Sequence, residues 1–258
     1  MMRAVPVVLA GLLLVGCAAG SGGAGSASSP SGEAGRAHAS AKVHTELAGM
    51  YYSQGVYAVA LEEVALAMRA EADYAPAYNM RALVHMALGE DKEAQQDFER
   101  SLRYDAKDSE TRNNYGWFLC QHGREKESIE QFMEAVKNPL YSTPEKAYLN
   151  AGICTHRMGD SRAAQTYYQR ALAAHPNMPQ VYYQMAVLAF DDKDYAGARS
   201  SMMRFERASV DPLNAEALWL GYRISQQLGD RDSADSYALQ LRRRYPDARE
   251  TQLMLYGK

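Results

Sequence analysis

The stretch that decides the fold is "NNYGWFLCQHGR", residues 113–124. It packs Tyr115, Trp117, Phe118, Cys120 and His122 between Asn113 and the turn-forming Gly123. Taken alone, such a segment fits a catalytic loop, a metal site or one half of a packing unit. What lies thirty-odd residues to either side separates these readings. A glycine, a small residue five places on and a large apolar residue nine places on recur along the chain. The sets are Gly55-Ala60-Val64, Gly89-Ala94-Phe98, Gly123-Ser128-Phe132 and Gly159-Ala164-Tyr168, followed by the weaker Lys193-Ala198-Met202 and Gly229-Ala234-Ala238. Their spacings are 34, 34, 36, 34 and 36 residues. Self-similarity at a fixed period of this length signals a solenoid of stacked supersecondary units.

Seven residues before each of the first five turn positions stands another small residue: Ala48, Ala82, Gly116, Gly152 and Ala186. Small residues at these places let two helices of one unit, and then neighbouring units, approach closely. Each helix pair buries only one face, so neighbours must stack for stability. The pattern resembles the tetratricopeptide repeat, a helix-turn-helix unit, and Pro176 and Pro246 close their units as the proline of that family does. The expected fold is all-α, a superhelical solenoid of about six such repeats over residues 42–258. The stretch "NPLYSTPEK", 138–146, makes one connection longer than the repeat requires.

The N-terminus reads differently. Arg3 precedes the apolar run "VPVVLAGLLLVG", 5–16, which is too short to span a bilayer stably, and Cys17 follows. Leu14-Val15-Gly16-Cys17 resembles the lipobox of bacterial lipoproteins, which implies a signal peptide over 1–16, acylation of Cys17 and membrane attachment through that lipid. Ala18 after the cysteine implies the outer membrane by the sorting rule of such lipoproteins. Residues 17–41 hold few large apolar side chains and are expected to form a flexible Gly/Ser/Ala tether.

The resemblance also places side chains. In tetratricopeptide repeats certain positions of the first helix face the concave side, and here they include Tyr52, Asn79, Leu83, Met86, Asn113 and Trp117. Thr45, Cys120 and Gln121 extend that set, and Leu149, Ile153, His156, Tyr183, Val187, Phe190, Trp219 and Arg223 continue it. A row of Tyr, Trp, Leu and Met is more apolar than a solvated face needs, and contiguous apolar surface marks binding sites. The near-absence of charge from Tyr52 through Trp117 assigns the partner to that half of the groove.

Cys120-Gln121-His122 and Cys154-Thr155-His156 have the composition of a zinc set. Residues two apart on a helix point some 200° apart, so one helix cannot offer both to one ion. Cys120 and Cys154, late in the first helices of adjacent repeats, form a candidate disulfide, with buried free thiols as the alternative. No P-loop, zincin, nucleophile-elbow or dinucleotide-binding motif occurs, which leaves no catalytic residues, cofactor or small-molecule substrate to assign. A net charge of −3 over 258 residues gives no electrostatic reason to bind nucleic acid.

"ETRNNYGWFLCQHGR" (110–124), "NPLYSTPEKAYLNAGIC" (138–154) and "ALWLGYRISQQLGDRDSADSYALQLRRRYPDA" (217–248) are similar to the type IV pilus biogenesis and stability lipoproteins of the PilF/PilW family. That resemblance implies a non-enzymatic pilotin, which brings pilus secretin subunits to the outer membrane and promotes their multimerisation. A scaffold that stabilises assembled pili, or binds other envelope proteins, is the alternative it leaves open.

Overall fold

The computed structural model describes residues 30–257. The expected signal peptide, Cys17 and residues 18–29 lie outside the described residues. Within them the chain is a succession of helices: α1 (Pro30–Ser53), α2 (Tyr57–Ala70), α3 (Ala75–Leu88), α4 (Asp91–Tyr104), α5 (Ser109–Gln121), α6 (Glu125–Ala135), α7 (Pro144–Arg157), α8 (Ser161–Ala174), α9 (Pro179–Asp191), α10 (Tyr195–Ala208), α11 (Ala215–Leu228), α12 (Arg231–Arg244) and α13 (Arg249–Tyr256). Six antiparallel pairs, α1/α2 through α11/α12, form the repeats, and α13 closes the stack against α11 and α12.

Each pair turns through a residue in the left-handed region. Gly55, Gly89, Gly123, Gly159 and Gly229 have φ between 71° and 81°, and Lys193 takes the same conformation at 64°. A side chain in this conformation costs roughly 1 kcal/mol. The fifth repeat carries that cost because the turn's shape is imposed by the packing on either side of it. Asp160, Asp194 and Asp230, each directly after such a turn, accept the backbone N–H of Ala163, Gly197 and Ser233 at 3.0, 2.9 and 3.1 Å. They satisfy helix N-termini that would otherwise leave free donors.

The core within a repeat is a large side chain of the second helix seated on a small residue of the first. Val64 shares a core with Ala48, Phe98 with Ala82, and Met202 with Ala186. The ring of Phe132 lies over Gly116, where an added Cβ would stand 2.8 Å from it, and the ring of Tyr168 lies still closer over Gly152. All of these large residues are essentially sealed from solvent. In the last repeat the pair shifts by one place: Gly221 faces Tyr237, and a Cβ on Gly221 would come within 2.6 Å of its ring.

Between repeats the contacts are asymmetric. Neighbouring first helices approach one another directly along the whole series from α1 to α11, whereas among the described residues no two second helices do. The first helices therefore form the tight inner row of a curved solenoid, and the second helices form its splayed outer row.

One expectation is corrected. Residues 30–41, assigned to the tether, are the beginning of α1. Alanine-rich sequence with Glu33 in the first turn is good helix, and Ala41 is completely buried with Thr45 and Ala48 beneath it. His38 reaches Glu71 at 2.8 Å and meets the Tyr74 ring edge-on at 5.3 Å. Alanine burial and these two contacts order a segment that has no large apolar residue of its own.

The packing of rings on small residues yields two opposite outcomes in denaturant titrations. Gly152→Ala drives a methyl into a sealed ring and should destabilise by about 1–3 kcal/mol. The Tyr168 hydroxyl is buried without a hydrogen-bond partner, and Phe holds the equivalent place at 98 and 132. Tyr168→Phe should therefore stabilise by roughly 1 kcal/mol, since a buried orphan hydroxyl is a net cost.

Candidate functional site

The inner row presents the residues expected to line a groove, and their surroundings differ along it. Leu83 and Met86, on α3, are half-buried against the core of Ala82, Phe98, Phe118 and Leu119. Tyr52, near the end of α1, is half-buried beside Tyr57, with ring centroids 5.9 Å apart. Burial first, and the neighbouring Tyr57 second, push its hydroxyl pKa upward. Trp117 lies partly exposed on α5, with the Arg157 guanidinium 5.6 Å above its ring. These four leave apolar surface accessible on the inside of the curve.

Asn79 and Asn113 do something else. They are only 8% and 5% exposed, and their amides tie the inner helices together. Asn150 on α7 donates to Asn113 Oδ1 at 3.1 Å, Asn113 donates to Asn114 Oδ1 at 3.4 Å, and Asn114 donates to Asn79 Oδ1 at 3.2 Å. A line of amides thus crosses from α7 through α5 to α3. Asn114 and Asn150 escaped the sequence reading because they stand one place past the expected lining column. Their separation of 36 residues, the spacing of the repeat that contains them, is the signal that finds them.

The C-terminal half of the inner row holds a defined cleft of about 220 Å³, lined by Tyr183, Phe190, Trp219, Arg223, Glu216 and Glu250 among others. Arg223 lies over the Phe190 ring at 4.2 Å and near that of Trp219 at 6.0 Å. Burial, then the carboxylates of Glu216 and Glu250, raise the Tyr183 hydroxyl pKa. Aromatic walls with both charges at the rim suit the side chains of a polypeptide. The half from Tyr52 to Trp117 carries fewer charged lining residues, so the inner face offers two chemically distinct halves.

Cys120 and Cys154 are joined as a disulfide between α5 and α7, with Cα atoms 5.9 Å apart. Their histidine neighbours turn to separate carboxylates, His122 to Asp91 at 3.0 Å and His156 to Asp191 at 3.4 Å. Among the described residues no three His, Cys, Asp or Glu side chains gather as a metal set. None of the described helices is long and apolar enough to cross a membrane.

Residues 58–187 match the tetratricopeptide repeat family model. The chain is 31% identical to the type IV pilus assembly protein PilF of Pseudomonas aeruginosa, over 72% of this chain and 73% of that one. Among solved structures, PilW, described as a widely conserved type IV pilus biogenesis factor, superposes with a TM-score of 0.78 at 31% identity, covering 83% of this chain and 98% of the other. The Pseudomonas aeruginosa PilF structure gives 0.75 at 28% identity, covering 86% and 100%.

The disulfide closes a loop from residue 120 to residue 154. Closure of that length contributes about 3–4 kcal/mol through the unfolded chain. Reduction, or Cys154→Ala, should lower the denaturant midpoint accordingly. Under non-reducing digestion, mass spectrometry should recover the two cysteine peptides linked, and free thiols at both positions would contradict the bridge.

Proposed function

We propose, from the premise that the chain belongs to the tetratricopeptide repeat family and within it to the type IV pilus biogenesis proteins, that it is a lipid-anchored pilotin. In this reading Cys17 carries the acyl chains, the folded repeats face the periplasm from the outer membrane, and the inner face holds a segment of a pilus secretin subunit. The work is binding rather than bond chemistry: the repeats keep the subunit at the membrane until its ring assembles. The observation that carries this reading is the match to PilF and PilW, which extends over nearly the whole length of the PilW chain. The disulfide between α5 and α7 supports an oxidising compartment, where such bonds persist.

The inner face supports capture of a polypeptide. Tyr52, Leu83, Met86 and Trp117 supply apolar anchors, and the amide line between Asn79 and Asn150 keeps three inner helices in fixed register beneath them. Anchoring raises the local concentration of this surface, so a groove of modest affinity suffices. Pre-ordered inner helices also reduce the entropy lost when an extended segment docks.

Secretin multimers in outer membranes test this site. Leu83→Asp combined with Trp117→Asp should reduce them by about tenfold or more, the loss expected when central anchors of an interface are replaced by charge. The helical circular dichroism of the variant should match the parent. Should the double variant fail to fold, Trp117→Ala alone should reduce multimers in the same direction. Undiminished multimers with a folded variant would dismiss this face as the secretin site. Intact rings with short-lived pili in a deletion strain would favour the stabilising scaffold.

A further inference from the structure

The connections from each second helix to the next first helix are four residues long at 71–74, 105–108, 175–178 and 245–248. Two depart from this: 136–143, with eight residues, and 209–214, with six. These two carry Leu140 and Val210, which are 88% and 98% exposed, ahead of the next large apolar residue, Tyr256, at 76%. A lengthened connection that holds an aliphatic side chain out in water has no packing reason for doing so.

Antiparallel alternation puts every such connection on one edge of the solenoid, and the start of α1 lies on that same edge. The chain therefore leaves toward Cys17 from the side on which Leu140 and Val210 project. Thirteen residue steps separate Cys17 from Pro30, a span of at most about 45 Å even when fully extended. The charge around the first loop is uneven: Asp108, Glu110 and Glu145 face it through Tyr141, so the excess of cations is confined to the cleft beside Leu140. Leu140 stands at the rim of a cleft of about 490 Å³ with Lys107, Arg112 and Lys137 against a single carboxylate, Glu134. Glu134 is engaged by Lys137 at 2.6 Å. Arg112 donates to the Ala106 carbonyl and to Gln131, at 2.7 and 2.8 Å, with no carboxylate among those bonds. Val210 lies on the rim of a second cleft, of about 310 Å³, with Phe205, Pro212 and the carboxylate of Asp211.

We propose that this edge is a membrane-docking surface, on which Leu140 and Val210 enter the interface of a phospholipid bilayer and the Lys107–Arg112 cleft receives a lipid phosphate. Leu140, an apolar side chain beside cations, has what an interfacial contact with anionic lipid requires, and Val210 adds a purely apolar contact. The inference rests on the lipid-anchored reading above and adds an orientation to it. Two aliphatic tips would not hold a free protein on a bilayer. On an anchored one the contact is intramolecular, and its effective concentration is high. Docked this way, the solenoid stands with one edge on the lipid and its inner face open sideways to arriving subunits.

The test uses the full lipidated chain reconstituted in phosphatidylethanolamine/phosphatidylglycerol vesicles, with Trp introduced singly as Leu140→Trp, Val210→Trp or Met158→Trp. Met158 follows α7 in a turn on the opposite edge and is itself 45% exposed. Lipids brominated in their acyl chains should quench the added emission at 140 and 210 by about half or more and leave that at 158 unchanged, since such quenching requires entry into the bilayer interface. Lys107→Glu should weaken the quenching at 140. Equal quenching at all three positions, or none at 140 and 210 while the protein floats with the vesicles, overturns the docking edge and leaves the anchor standing. A chain without acyl groups by mass spectrometry, and absent from the vesicles, overturns both.

Discussion

Everything in this molecule depends on one close approach: a large side chain of an outer helix pressed onto a small residue of the inner helix sixteen residues before it. Ala48, Ala82, Gly116, Gly152 and Ala186 accept Val64, Phe98, Phe132, Tyr168 and Met202 in turn. The contact sets the distance between the helices of each pair, and so fixes the turn that joins them. That turn needs a left-handed residue, and Lys193 adopts the conformation where the other repeats use glycine. Repetition of one local solution generates the curve, because among the described residues only the inner helices then touch their counterparts in the next repeat.

This dependence explains how much of the fold could be read from residues alone. The turn, small and large positions recur with fixed spacing, so the repeat, its count and its buried residues are visible even where Lys193 and Ser128 replace the usual types. Two things were not visible. The shifted Gly221–Tyr237 pair breaks register by one place, and a periodic scan records only a weak match there. The start of α1 was obscured because the expected signal was large apolar side chains, whereas alanine burial and the contacts of His38 with Glu71 and Tyr74 order the segment.

The inner face was legible as a column of positions but not as an environment. Tyr52, Leu83, Met86 and Trp117 keep accessible apolar surface, while Asn79 and Asn113, in the same column, are consumed by amide contacts between helices. Spacing identifies which way a side chain faces. It cannot tell whether a neighbour one repeat away has already taken its hydrogen bonds, because that neighbour, Asn114 or Asn150, sits one place out of phase. The aromatic cleft around Arg223 is a comparable case, since α13, which closes the end of the stack, contributes Glu250 to its lining.

The asymmetry between touching inner helices and separated outer ones has a mechanical meaning. A stack joined along one side behaves like a leaf-hinged coil: its outer turns can fan apart or draw together while the inner line keeps its length. Compliance is then directional, soft toward changes of curvature and stiff toward stretching along the inner line. The covalent link between α5 and α7 lies on that inner line, at mid-length. It acts as a clamp on the coil, so elastic deformation concentrates in the repeats on either side of it and the middle moves as a unit.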